Sequence, residues 1–294
     1  MNCGSSAAPR ARAPPASSRW TQRTAGSKPC TTWPGSGVCD LLALRSAGAS
    51  RPTRYASSAR YDERSLRASL TCFSAQLPDR ARVVLDVGAG TGTGVPTRAL
   101  REMISADVIA LDLSWNMARQ VSGRPTAVVA DAQRLPVRDA CADGVLLMGC
   151  IHLMPDPLSV MREARRVLRS GGCIAVATVL REDLQRQVFH QNFPEFHAFD
   201  LSRHFSLGDL EGLASHTRMD LRAVHETTAD IVFPDAVSLI DFVRNRPFFG
   251  LRQMPQHEFE SGFEAFARRV KECWPEGAVH SENRTITVVF GAQP

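Results

Sequence analysis

The chain has 294 residues, of which 44% are hydrophobic, and a formal net charge of +5. This length allows one complete α/β domain with additions. No apolar run approaches the roughly 18 residues that a membrane span requires, so we expect no membrane association. The eight cysteines form no C-x-x-C pair, which argues against a zinc site or a disulfide framework. We therefore expect reduced thiols, no bound metal and a cytoplasmic protein.

Most of the positive charge lies at the amino terminus. Residues 1–60 contain nine Arg and Lys residues and one acidic residue, a net charge of +8, which leaves −3 for the rest of the chain. A mildly acidic remainder does not predict a nucleic-acid-binding surface, so we expect no nucleic acid partner. Residues 1–50 are rich in Ser, Ala, Pro and Arg without apolar periodicity, and we predict a disordered basic tail there. A transit peptide and a misassigned start codon are alternative explanations of that composition.

Residues 51–294 are predicted to form one domain. Its first predicted helix carries Tyr61 and Phe73. Five apolar strands then alternate with helical segments, at residues 82–85, 108–112, 127–131, 143–150 and 173–177. This alternation predicts a mostly parallel sheet with right-handed crossovers, and we take residues 82–180 as its core.

A glycine-rich turn directly follows the first predicted strand, in the run Asp86-Val-Gly-Ala-Gly-Thr-Gly-Thr-Gly94. Glycine allows the backbone to pass closely under a ligand where a Cβ would collide. No register of this run fits the G-x-G-x-x-G pattern of dinucleotide sites, and no Gly-Lys-Ser/Thr follows as in phosphate-binding loops. The turn therefore predicts a nucleotide-like ligand at the carboxyl end of the strand, outside those two classes.

Further motifs follow the later strands. Asp112 ends the second predicted strand and begins an Asp-x-Ser-x-x-Met run, Asp131 follows the third strand, and a Gly-Gly turn precedes the fifth. Together with the acid-x-Gly-x-Gly-x-Gly turn, these segments resemble the ordered motifs of class I S-adenosylmethionine-dependent methyltransferases. The resemblance covers residues 82–180 and is to the small-molecule, ubiquinone- and biotin-pathway-like group of type 11. It implies a doubly wound, Rossmann-like sheet of seven strands, mostly parallel with an antiparallel last strand, plus a helical cap.

The same resemblance implies S-adenosyl-L-methionine as the cofactor, together with residues that bind it. An acid at the end of the second strand accepts hydrogen bonds from both ribose hydroxyls, and the acid after the third strand meets the adenine amine. The implied cofactor-binding residues are Asp86, Gly88, Ala89, Gly90, Gly92, Asp112, Leu113, Met117, Asp131 and Ala132. Each acid has an alternative explanation as a loop acid or helix cap, and Met117 is equally well explained by core packing.

Residues 181–205 interrupt the alternation and contain five phenylalanines and three histidines. Because this segment follows the fifth strand, at the side of an α/β sheet where ligands bind, we predict a cap over the acceptor substrate. The predicted substrate-binding residues are Tyr61, Phe193, Phe196 and His197. Phenylalanines at helical spacing are alternatively explained as hydrophobic core. Further helices and strands are predicted over residues 206–294, with strands at residues 221–233 and 284–291.

His152 is the candidate catalytic residue. It follows the fourth predicted strand, in a loop that faces the methyl group in the resembling family, and an imidazole there can act as a general base. A structural histidine is the alternative. The predicted function is methyl transfer from S-adenosylmethionine to O, N or C of a small, partly apolar metabolite by in-line displacement. A cofactor-binding regulatory or partner protein without turnover is the alternative function, and the acceptor and the oligomeric state stay open.

Overall fold

The computed structural model describes residues 63–90, 95–118 and 127–292. Tyr61, Gly92 and the predicted tail at residues 1–50 lie outside these ranges. The strands are β1 (Val83–Val87), β2 (Asp107–Asp112), β3 (Ala127–Val129), β4 (Ala142–Met148), β5 (Leu168–Thr178), β6 (Met219–Phe233) and β7 (Val279–Ala292). They form one seven-stranded sheet in the order β3-β2-β1-β4-β5-β7-β6.

Ten α-helices connect the described strands. They are α1 (Glu63–Ser74), α2 (Val95–Met103), α3 (Trp115–Ala118), α4 (Pro157–Val167), α5 (Val188–Asn192), α6 (Pro194–Leu201), α7 (Leu207–His216), α8 (Ala236–Arg244), α9 (Phe249–Gln253) and α10 (Gln256–Cys273). Short 3-10 segments cover Ile151–Leu153 and Arg181–Arg186. Within the described ranges, no helix combines the length and the apolar composition needed to cross a membrane.

Helices cover both faces of the sheet because successive strand residues point to opposite sides. Leu85 and Val145 belong to a buried core shared with α4 and α7. Their neighbours Val84 and Leu146 belong to a second core shared with α1 and α2. The continuous apolar strands of the sequence therefore reflect burial on two faces, as is typical of parallel sheets.

The strand directions confirm the predicted fold class. β1 pairs in parallel with both β2 and β4, and β4 pairs in parallel with β5. β7 lies between β5 and β6 and is antiparallel to both. Because the strand order reverses beside β1, the carboxyl ends of β1 and β4 border the crevice where ligands of doubly wound sheets bind.

The last two strands are longer than the sequence indicates, because the strand predicted to begin at Arg284 begins at Val279. β6 and β7 pair along their whole length, from Met219 opposite Ala292 to Phe233 opposite Val279. β5 ends at Thr178, opposite Ile286. Residues 227–233 and 279–285 therefore continue past the sheet as a two-stranded ribbon, on the side of the strand carboxyl ends.

This ribbon supports a helical cap that is larger than residues 181–205. Ile231, Phe233 and Val279 of the ribbon pack in one apolar cluster with side chains of α5, α6, α8, α9 and α10. One of these helices, α8, is capped by a side chain at its amino terminus. Asp235 caps α8 by accepting a hydrogen bond from a backbone N–H, and Asn245 follows its last residue. The cap is thus a separate apolar core that residues 236–273 complete.

Candidate functional site

The glycine-rich turn has a backbone that only glycine adopts without strain. Gly88 and Gly90 have φ angles of +75° and +62°. The N–H groups of Gly88 and Ala89 donate to the carbonyl oxygen of Leu111 at 2.8 and 3.1 Å. A Cβ on Gly88 would lie 2.9 Å from both Cβ and Sγ of Cys150. The turn is therefore held against β2 and against the segment after β4.

Asp112 connects the turn to the end of β2. Its Oδ2 accepts a hydrogen bond from the Gly90 N–H at 2.8 Å, and its Oδ1 accepts one from the Ser114 N–H at 2.8 Å. Burial raises the pKa of Asp112, and the two N–H donors partly oppose that shift. Each carboxylate oxygen can accept a second hydrogen bond. The residue is thus preorganised to accept hydrogen bonds from a pair of neighbouring hydroxyl groups.

Asp86 lies at the end of β1 and is buried. The hydroxyl group of Thr97, on α2, donates a short hydrogen bond to its Oδ2. Burial raises the pKa of Asp86 to about 6, although the Thr97 hydroxyl acts in the opposite direction. Asp86 therefore ties the turn to the helix that follows it, a contact for which the sequence offered no separate signal at Thr97.

The remaining predicted cofactor residues follow β2 and β3. The Oδ1 atom of Asp131 accepts a hydrogen bond from the Gln133 N–H at 2.9 Å. Met117 and Ala132 are buried, whereas Leu113 is half-buried. The structure thus brings the acids predicted after β1, β2 and β3 to one edge of the sheet. Their roles toward a cofactor stay predictions, as does that of Gly92 outside the described ranges.

A cavity of about 240 Å³ lies between the ends of β4 and β5, the ribbon and the cap. Its apolar wall is largely aromatic and comes from Leu153, Val179, Leu184, Phe189, Ile231, Phe233, Phe242, Pro247, Phe248 and Phe249. Its polar wall comes from His152, Gln187, His190, Asp200, Arg203, His204, Arg252 and Asn283. Gly149 and His152 line the cavity, and Cys150 between them contacts Gly88 of the glycine turn. One short segment therefore separates the turn from the cavity.

His152 stands in the cavity wall, on the 3-10 turn after β4. Its ring stacks on that of His204, with 4.3 Å between the centroids and 18° between the planes. Burial, followed by the nearby His204 and Arg203, lowers the pKa of His152 well below its ordinary value. Its Nδ1 atom has no hydrogen-bond partner among the described residues. The imidazole is therefore neutral and weakly basic, and its role as general base stays a prediction.

Two further titratable groups lie beside His152 in the cavity. Oδ2 of Asp200 is 3.6 Å from Nε2 of His190. Burial raises the pKa of Asp200 to about 8 and lowers that of His190 well below its ordinary value. Burial also lowers the pKa of His204 to about 4. At neutral pH these histidines are neutral and Asp200 is mostly protonated. No cluster of metal-ligating side chains occurs within the described ranges.

The predicted substrate residues Phe193 and Phe196 lie inside the cap core and are fully buried. The Phe193 ring packs against Phe266 at 5.8 Å, and the Phe196 ring stacks on His190 at 4.5 Å. His197 is half-buried, with Nε2 3.3 Å from the Gln185 side-chain nitrogen. The cavity wall described above contains none of these three, so this geometry agrees with the core explanation. Their contact with a substrate stays a prediction.

Comparison with known proteins assigns the part of the chain that contains the motifs to a family of domains. Residues 85–176 match the family model described as "Methyltransferase domain". A malonyl-[acyl-carrier protein] O-methyltransferase of Dechloromonas aromatica is 32% identical over 174 residues, which cover 57% of this chain and 63% of that protein. These matches support a class I S-adenosylmethionine-dependent methyltransferase domain over residues 85–176. An enzyme of the same description from Marinomonas sp. is 37% identical over 114 residues, covering 36% of this methyltransferase and 41% of its own length.

The matched relatives are covered only in part, because the chain spans less than two thirds of the length of these proteins. Solved structures support the fold alone. A candidate methyltransferase of Bacillus halodurans has a TM-score of 0.53 at 16% identity, covering 78% of this chain and 99% of that one. The [4+2]-cyclase SpnF has a TM-score of 0.51 at 15% identity, covering 77% and 80%. Because a cyclase shares it, this fold alone does not decide the reaction.

Proposed function

We propose that this methyltransferase transfers the methyl group of S-adenosylmethionine to a small, partly apolar acceptor held in the cap cavity. The observation that carries the proposal is the shared wall between the two sites. Cys150 contacts Gly88 of the turn, and its neighbours Gly149 and His152 line the cavity. A ligand on the turn and an acceptor in the cavity would therefore both lie beside residues 149–152.

The residues of the turn fit the adenosyl part of S-adenosylmethionine. Asp112 has acceptor capacity left for the two ribose hydroxyls, and the positive φ angles of Gly88 and Gly90 shape the turn beside it. We assign adenine contacts to Asp131 and Ala132. The other proposed cofactor residues are Asp86, Ala89, Gly92, Leu113 and Met117. When bound, S-adenosylmethionine supplies a methyl group that its sulfonium centre already activates.

The chain itself supplies alignment and exclusion of water. In-line displacement requires the attacking atom to lie on the far side of the methyl group from the sulfur, at a near-attack distance. The aromatic wall of the cavity, with Phe189 and Phe233 buried, removes water from the reacting atoms. The proposed contribution of the protein is therefore geometric, and it places the acceptor beside Gly149 and His152.

An oxygen acceptor is favoured over nitrogen or carbon by the O-methyltransferase relatives. A cofactor-binding partner protein without turnover is the competing proposal. Such a protein has no need of an aromatic-walled cavity beside the turn, which favours catalysis.

Two measurements test this function. Calorimetric titration with S-adenosylhomocysteine should show micromolar affinity, a binding free energy on the order of −8 kcal/mol. Incubation with methyl-labelled S-adenosylmethionine and pools of small acceptors should then give a labelled product, and Asp112→Ala should reduce its yield at subsaturating cofactor. Binding without transfer to any acceptor pool would support the partner-protein alternative, and absence of binding would refute the proposed cofactor site.

A further inference from the structure

The segment that connects β3 to β4 contains Asp131 and Ala132, to which we assign the adenine base. It begins beside the proposed ribose acid, because the Ala130 N–H donates to the carbonyl oxygen of Asp112 at 2.9 Å. Asp131 belongs to a local turn and is only half-buried, so the position of its carboxylate depends on how the rest of the segment is held. The contacts of the residues that follow this turn therefore matter for the base.

Helix α4 holds the segment with two of its side chains. Oε2 of Glu163 accepts a hydrogen bond from the Leu135 N–H at 2.8 Å. The guanidinium group of Arg166 donates to the carbonyl oxygen of Leu135 at 3.1 Å and to that of Val137 at 2.8 Å. Backbone groups of a partly buried segment need hydrogen-bond partners, and here the side chains of one helix supply three of them. Leu135 is thereby fixed through both its N–H and its carbonyl group.

The two side chains also fix each other. Arg166 donates from Nε to Oε1 of Glu163 at 2.8 Å and from Nη2 to Oε2 at 2.7 Å. A bidentate pair of this kind holds both groups in one relative orientation. The Glu163 and Arg166 side chains are 18% and 31% exposed, so water screens this pair less than a fully exposed one. The pair is therefore arranged for the backbone of the segment before any ligand binds.

The pair acts close to the proposed base contacts, since Leu135 lies four residues after Asp131. Ala132 and Leu135 are buried in the core that α4 shares with the sheet. A movement of Leu135 is therefore transmitted to the turn at Asp131. A hydrogen bond weakens steeply when its distance and angle leave a narrow range. The base contact should thus be more sensitive to the α4 pair than contacts made elsewhere on the cofactor.

We propose that Glu163 and Arg166 are positioning residues for the adenine base, and that they give the cofactor site its selectivity for a purine that carries an amine. This inference rests on the proposed function. The two side chains act through the backbone of Leu135, which sets the position of Asp131. A carboxylate fixed there accepts a hydrogen bond from the adenine amine and repels the carbonyl oxygen of hypoxanthine.

Two probes that differ only at the base test the proposal without turnover. They are S-adenosylhomocysteine and S-inosylhomocysteine, in which a carbonyl oxygen replaces the adenine amine. In calorimetric titrations, the unsubstituted protein should bind the adenosyl probe at least about tenfold more tightly. Equal affinities would overturn the inference, because no base selectivity would exist. Failure of S-adenosylhomocysteine itself to bind would instead refute the proposed function.

Variants of the pair then separate positioning from structural support. Glu163→Ala removes the acceptor of the Leu135 N–H, and Arg166→Met removes the donors to the two carbonyl groups while keeping an aliphatic stem. Each should weaken the adenosyl probe at least about tenfold and the inosyl probe less than about threefold. The milder Glu163→Gln keeps an acceptor for Leu135 and should retain most of the preference. Arg166→Lys keeps the charge without the planar fork and should retain less of it.

The matched control lies in the same group of charges. Asp139→Asn removes a carboxylate that also binds Arg166 but is 79% exposed, and it should change neither affinity. The number of sites per chain in each titration gives the folded fraction, so the ratio of the two affinities stays interpretable in a destabilised variant. Equal losses for the two probes in Glu163→Ala and Arg166→Met would show that the pair only supports the fold. Unchanged affinities in both variants would overturn the inference as well.

Discussion

The two halves of the sheet build their sites in different ways. The first half contains β1, β2 and β3, and the second half contains β6 and β7. The first half uses backbone N–H groups and strand-end carboxyl groups, which lie within short segments such as residues 86–90. The second half uses side chains from the ribbon and from the helices of the cap, which are far apart in the sequence. The family match at residues 85–176 covers the first half and stops before the cap. The proposed cofactor site is therefore local in sequence, and the acceptor cavity depends on tertiary structure.

The largest expected effect is on the cap core. Phe196→Ala removes a fully buried ring and should lower the free energy of unfolding by about 3–5 kcal/mol, with affinity for S-adenosylhomocysteine nearly unchanged. Chemical denaturation and calorimetry measure the two quantities. Leu201→Ala, at an exposed position at the end of the same helix, should cost less than about 0.5 kcal/mol. Normal stability with impaired acceptor kinetics would instead support the predicted substrate contact.

Substitution in the glycine turn should instead lower the affinity for the cofactor product. Gly88→Ala places a Cβ against Cys150 at a φ of +75°, so we expect at least a hundredfold loss of affinity for S-adenosylhomocysteine, about 3 kcal/mol. Gly171→Ala is the matched control, because Gly171 has a φ of +78° with nothing within 4 Å of the added Cβ. A similar loss of affinity in both variants would mean that backbone strain, and not the shape of the turn, is responsible.

A smaller loss of cofactor affinity is expected at the end of β2. Asp112→Ala removes the acceptor of two backbone N–H groups and of the proposed ribose hydroxyls, and should cost about 1.5–3 kcal/mol of binding free energy. The control is Asp107→Ala, which removes an exposed acid at the start of the same strand. Unchanged affinity in Asp112→Ala would contradict the proposed ribose contact.

The remaining expected effect depends on pH and concerns the buried acid of the cavity. The pKa of Asp200 is about 8 in the folded protein, against about 3.9 for an unfolded Asp. The folded state therefore keeps a proton that the unfolded state loses, and the stabilising contribution present below pH 4 disappears as the pH rises through 8.

Asp200→Asn should remove this pH dependence. Relative to the unsubstituted protein, the variant should gain at least about 1 kcal/mol in unfolding free energy between pH 5 and pH 8. Denaturant titrations at the two pH values measure the difference, with the exposed Asp241→Asn as the control for loss of a carboxyl group. A gain that is equal at both pH values would show that Asp200 is ionised throughout.

Sequence patterns predicted the sheet better than the cap. The strands and the antiparallel last strand follow from apolar runs and from the family resemblance, and the structure confirms them. The start of β7 at Val279 was missed, because residues 279–285 pair only with β6 and carry the alternating polar residues of an exposed ribbon. The sequence marks the histidines of residues 181–205 as candidates, whereas Asp200 and Arg203 carry no separate signal in it. Both depend on partners that approach only when the cap packs.

The sequence by itself determined the glycine turn and the strand-end acids, because each depends on backbone conformation and on spacing within one βα unit. It also showed that residues 181–205 contain five phenylalanines, without deciding which side chains face a ligand. Only the tertiary structure determines which side chains face the cavity. Phe193 and Phe196 turn into the cap core while Phe248 and Phe249, from a segment fifty residues further along the chain, line the cavity. A helical pattern specifies that a face is buried, and only packing specifies whether it is buried against protein or toward a cavity.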